Sequence, residues 1–181
     1  MRTIYSAAVS AALIVFSVSV GQAASKPNNS SPAIQARDML EQIDSWSASM
    51  VRAADWLAVT AWDPRFTASR LERLDILKDD VNKIGRELRV LEAEQASLTA
   101  WESKAVDEVL PLMQVTSAYT SGAIQTYSSD RDHLWTTSFP DDTAKIFEDA
   151  VRVKELLDGH LKLAAVHEQE QRLESEVDAS R

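Results

Sequence analysis

Between residues 74 and 98 the apolar side chains return at Leu74, Leu77, Val81, Ile84, Leu88, Leu91 and Leu98, with Gln95 completing the series. Steps of three and four put such residues on one stripe of an α-helix, whereas a strand would need every second position. The intervening "DDVNKIGRELRVLEAEQ" is charged, as a solvated outer face should be. A long helix with a single apolar stripe cannot be stable alone and has to bury that stripe against other elements.

The same steps recur elsewhere. Ala36, Leu40, Ile43, Ser47, Met50, Ala54 and Leu57 form a first stripe, opened by Ser31 as a cap and Pro32 in the first turn. "WDPRF" ends it, because Asp63 before Pro64 is pushed out of the helical region. The second helix starts near Thr67. Thr99 and Glu102 fit a capping box, so a third helix starts at Thr99 after a very short turn. Its stripe is Val106, Val109, Met113, Thr116, Thr120, Ala123, Tyr127 and Leu134, with Pro111 expected to kink it. "TTSFPDD" breaks the chain again, and a fourth stripe follows: Ile146, Phe147, Ala150, Val153, Leu157, Leu161 and Ala164.

Each helix runs about 30 residues, or roughly 45–50 Å. Matched lengths and short connections predict an all-α fold, an up-down-up-down bundle of four long helices over residues 32–173. Four glycines and five prolines leave little material for the turns of a β-rich alternative. Residues 174–181 read as an acidic tail, frayed because acids near a helix C-terminus oppose its dipole.

Upstream, "MRTIYSAAVSAALIVFSVSVGQAAS" has Arg2 before an uncharged run, then Gly21 and Ala23 at the −3 and −1 positions of a cleavage site. Residues 1–23 therefore read as a cleavable signal peptide and 24–31 as a flexible linker. The expectation is an exported protein, periplasmic or secreted, with no stable membrane anchor after cleavage. The absence of cysteine excludes disulfides, thiolate metal sites and covalent haem attachment. The formal charge of −9 argues against nucleic-acid partners.

No enzyme motif assembles. There is no Gly-rich phosphate loop, no nucleophile elbow and no His-Glu-x-x-His, and the carboxylates follow the outer faces of the helices. The expectation is a non-enzymatic binding or structural module whose partner is another protein or a second copy.

Up-down topology brings the connections after helices one and three to the same end. Trp62, Arg65 and Phe66 should there meet Tyr127, Arg131, His133, Trp135 and Phe139, forming either a plug or a partner-binding patch rich in the residue types of interface hot spots. Trp56 is expected roughly opposite the inward stripe of helix one, as a second exposed apolar position.

The alternative is a cofactor or small-ligand carrier. Two sites suggest themselves: a cavity at the small residues Thr116 and Thr120 beside Pro111, or b-type haem between Met39 and His167, which topology places at one end. No metal site is expected, since His160 and His167 lie about 10 Å apart along the helix, and no cofactor is expected in the leading reading.

Overall fold

The computed structural model describes residues 32–180, and side chains from residue 35 onward. The signal segment, the linker and the Ser31 cap lie outside the described residues. Four long helices make up the fold: α1 (Pro32–Thr60), α2 (Thr67–Ala93), α3 (Ala100–Asp130) and α4 (Phe139–Ala179). Single 3-10 turns at Pro64–Phe66, Gln95–Ser97 and Leu134–Thr136 occupy the three connections.

Helix α1 packs on α2 and α4, and α3 packs on the same two, so that α1 and α3 lie across a diagonal. This is the up-down-up-down four-helix bundle. Every stripe residue of α1 and α3 is buried, Ser47 and the two threonines included. In α2 the stripe is buried from Leu74 to Leu91. Gln95 is exposed and Leu98 half-buried, because the helix stops at Ala93 and the phase is lost. Phe147 and Leu161 of α4 are half-buried at the margin of the core.

Local chemistry sets the boundaries. Asp63 is extended (φ −104°, ψ 107°), and its carboxylate accepts from the Arg65 backbone N–H at 3.0 Å, starting the 3-10 turn. At the head of α3, the buried Glu102 carboxylate accepts from both the Thr99 backbone N–H and its hydroxyl, each at 2.7 Å. Pro111 sits inside α3, which continues as one helix from Ala100 to Asp130.

Open space lies over Gly85 of α2: a methyl group added there would meet nothing within 4 Å. One expectation needs correction. Helix α4 does not end near Leu173 but runs to Ala179, with every residue from Ala165 to Ser180 exposed. The bundle stops covering α4 before the helix stops.

Candidate functional site at the aromatic end

The connection from α1 to α2 is organised around Arg70, which is fully buried. Its Nη2 donates to the carbonyls of Thr60, Ala61 (3.1 Å) and Asp63 (2.7 Å). These carbonyls lie at and just beyond the end of α1, at the negative end of its dipole, and those of Thr60 and Asp63 also accept from the backbone N–H groups of Asp63 (3.0 Å) and Phe66 (3.2 Å). The guanidinium also lies over the Phe139 ring, 5.8 Å from its centroid. Burial pulls its pKa below the ordinary guanidinium value, partly offset by Asp63. Nε and Nη1 have no protein partner, so the group is held by one nitrogen and by packing.

Tyr127 joins the two connections. It is buried, and its hydroxyl donates to the carbonyl of Thr67 at 2.9 Å, tying the end of α3 to the start of α2. Leu134 and Phe139 are fully buried beneath the second connection. Tyr127, Leu134, Phe139 and Arg70 therefore form the plug that closes this end.

A different set faces outward. Trp62 is 64% exposed and Val59, three residues earlier, 74%. Phe66 and Leu71 are also exposed. Phe66 meets Trp56 edge-on, with centroids 5.7 Å apart and planes at 84°, and Arg73 lies over the other ring at 5.7 Å. Arg65 pairs with Asp63 through Nε at 3.0 Å and Nη2 at 2.5 Å, which holds the Asp63 carboxyl at about 2. The pair thus survives well into acid.

Across the end, His133 Nδ1 stands 3.1 Å from Asp130 Oδ1, and the imidazole leans on Trp135 at 5.7 Å. A depression of about 510 Å³ lies between Leu71 of α2 and the Tyr127–His133 stretch.

The expected site residues thus divide. Trp62, Arg65, Phe66, Arg131 and His133 are exposed at one end of the bundle, and Trp135 is half-buried beside His133. Phe139 is interior, and Tyr127 is buried except for an edge that lines the depression beside Leu71. Trp56 is not opposite the inward stripe. It follows Ala53 and precedes Leu57, so it lies on the flank facing α2, half-buried between Phe66 and Arg73.

The carrier sites fare differently. Thr116 and Thr120 are 0% and 3% exposed, and each hydroxyl donates to the carbonyl one turn back, Leu112 and Thr116, at 2.8 Å. With their polarity satisfied in this way, the threonines are a packed seam rather than the wall of a cavity. On another face of α3, a methyl group on Gly122 would lie in ordinary contact with Asp142 Oδ2 of α4, at 3.6 Å.

At the far end, Arg37 contacts Glu168 and Asp44 lies 3.0 Å from Lys154, so these two residues mark the side of α1 that faces α4. Met39 is two residues on from Arg37, hence turned roughly 200° from that side. It is half-buried against the core, while His167 is exposed. The helices do come together there, but the two side chains leave on different faces, which removes the geometric basis for a Met39/His167 haem site. His160 is buried with Nε2 2.9 Å from Glu108 Oε2, and that contact lowers the Glu108 pKa. Among the described residues no three His, Asp or Glu side chains gather as a metal site requires.

Sequence reading missed Arg70, Val59 and Leu71. Arg70 had a detectable signal, since it precedes Leu74 by four and Leu77 by seven and so falls on the buried stripe. Val59 and Leu71 are apolar residues out of phase with theirs. Comparison with protein-family models, curated proteins and solved structures finds no match to this chain.

Proposed function

We propose that this chain is an exported, non-enzymatic binding module that engages a protein partner through the aromatic end of its bundle. The observation that carries the reading is the division of labour at that end. A buried plug completes the fold, while Trp62, Val59, Phe66 and Leu71 stand outside it, rimmed by Arg65, Arg131 and His133. These rings and side chains do nothing for the core, and clustered exposed apolar groups beside arginines have the composition of an interface. Export rests on the N-terminal segment. The non-enzymatic reading rests on the missing motifs and on carboxylates that are mostly exposed or held in ion pairs.

The test is a photo-crosslinking residue placed at Trp62 or at Leu71, with Lys78 on a solvated face as control, in cells that export the chain. One discrete adduct of common mass from Trp62 and Leu71, absent from Lys78, is the expected result. Equal labelling at all three positions, or turnover of a substrate abolished by changing a single carboxylate, overturns it.

A small-ligand carrier is the second reading, and one observation favours it. A groove of about 640 Å³ opens between α2 and α3, with Val81, Leu110 and Met113 among its lining, Arg86 and Arg89 beside them, and open space over Gly85. Its size suits a modest organic ligand, and its arginines suit an acidic group on that ligand. Gly85→Trp should fill it and abolish uptake of such a ligand, leaving crosslinking at Trp62 intact.

A further inference from the structure

The seams of the bundle are not held alike. Lys154 of α4 reaches Asp44 of α1 at 3.0 Å, and His160 of α4 meets Glu108 of α3 at 2.9 Å. Between α2 and α3 the polar ties stand at the ends only. Gln95, just past α2, donates to Asp107 of α3 at 3.1 Å, and Tyr127 of α3 donates to the carbonyl of Thr67 at the other end. Among the described residues no side-chain hydrogen bond or ion pair crosses this seam between those two ties. The groove of about 640 Å³ occupies that open stretch. Along α2 it runs from Val81 to Glu92, about 16 Å.

Val81 and Met113, 5% and 3% exposed, and the half-buried Leu110 give the groove an apolar floor. Methionine among them adapts to bodies of differing shape. Gly85 opens the middle. A glycine inside a helix costs about 1 kcal/mol relative to alanine, and here neither a positive φ nor a close neighbour requires one. What the missing side chain leaves is room.

Charge selects the occupant. Arg86 and Arg89 are neighbours on one face of α2, both exposed and both lining the groove. Among the described residues neither guanidinium is in an ion pair, unlike Arg37 and Arg65. Helix α3 adds no charge to the lining, and Glu92 is its one acid. Two cations against one anion leave a single positive charge there, in a chain whose formal charge is −9. A monoanion balances it, whereas a dianion would set surplus negative charge against Glu92. A guanidinium holds a carboxylate through two parallel hydrogen bonds. We infer that the groove binds an elongated apolar carboxylic acid, with its carboxylate on Arg86 and Arg89 and its apolar body over Gly85 against Val81 and Met113. This rests on the carrier reading of the groove and is independent of the aromatic end.

The test is calorimetric titration of the exported chain with decanoate, decanol, decylammonium and decyl phosphate, each below its micelle concentration. Decanoate should bind at one site, at least tenfold more tightly than decanol, with decylammonium weakest. Arg86→Gln combined with Arg89→Gln should erase that preference and leave decanol binding unchanged. Both arginines are exposed, so this variant should keep the helical signal. Gly85→Trp should abolish binding of decanoate and decanol alike. Lys78→Gln removes a charge from an exposed position elsewhere on α2 and should leave decanoate binding within twofold.

Decanol or decylammonium binding as tightly as decanoate would overturn the carboxylate head and leave the carrier reading in place. Tighter binding of decyl phosphate would do the same. Decanoate binding that survives Gly85→Trp, or no binding by any of the four probes, would overturn both. Loss of decanoate binding on Trp62→Ala would move the site to the aromatic end and likewise overturn the inference.

Discussion

At one end of the bundle lie two connections, and Arg70, Tyr127, Leu134 and Phe139 are buried beneath them. At the other end a single short connection joins α2 to α3, and α4 runs on past it with its apolar flank exposed among the described residues. The first end uses buried polar groups to fix backbone, and its exposed rings ride on that backbone. The second end uses a regular helix and changes only the phase of its apolar residues. Exposed hydrophobic side chains at the two ends thus have different supports: a hydrogen-bonded plug in one case, helix propensity alone in the other. Mutations should therefore separate them.

The largest effect is expected for Arg70→Met. It keeps much of the side-chain volume but removes the Arg70 donor from the carbonyls of Thr60, Ala61 and Asp63, leaving those of Thr60 and Asp63 with only their turn hydrogen bonds. Relief of the buried charge offsets part of the loss, so a destabilisation of about 2–3 kcal/mol is expected in urea unfolding. A change below about 1 kcal/mol would mean that the plug does not depend on the guanidinium.

Tyr127→Phe comes next. It deletes only the 2.9 Å bond to Thr67 and should cost about 1 kcal/mol. If the two substitutions act on one unit, their combined effect should fall short of the sum, as expected for groups that share a plug.

The smallest effect belongs to the other end. Leu173→Ser with Val177→Ser, measured at a concentration where the chain is monomeric, should shift stability by no more than about 0.5 kcal/mol. A larger loss would show that the projecting helix already packs on its own bundle, and the contrast between the ends would collapse.

Much of this architecture was legible in the residue spacing. The four stripes, the capping box at Thr99 and the break at Asp63-Pro64 each follow from local rules and stand where those rules put them, except at Gln95, Leu98, Phe147 and Leu161, which are exposed or half-buried. Arg70 was present in the pattern but masked by charge, since an arginine on a stripe suggests solvent. Trp56 lies one residue, or about 100°, from Leu57, which places it on a flank rather than on the face opposite the stripe. The groove over Gly85 is of another kind, since it depends on how closely α2 and α3 approach, and no spacing within either helix encodes that. For the site, residue types at the aromatic end were legible. Which of them point inward was not, because a connection has no periodicity to read.

The three carbonyls gathered by Arg70 bear on how recognition at this end would proceed. Backbone that cannot shift without stranding a buried cation is backbone already in its final conformation. A partner meeting Trp62 and Phe66 has little chain to order, so it forgoes only side-chain freedom, about 0.5–1.5 kcal/mol for each side chain it immobilises. Association would then be that of two preformed surfaces, with selectivity resting on shape and with little capacity to adapt to a second kind of partner.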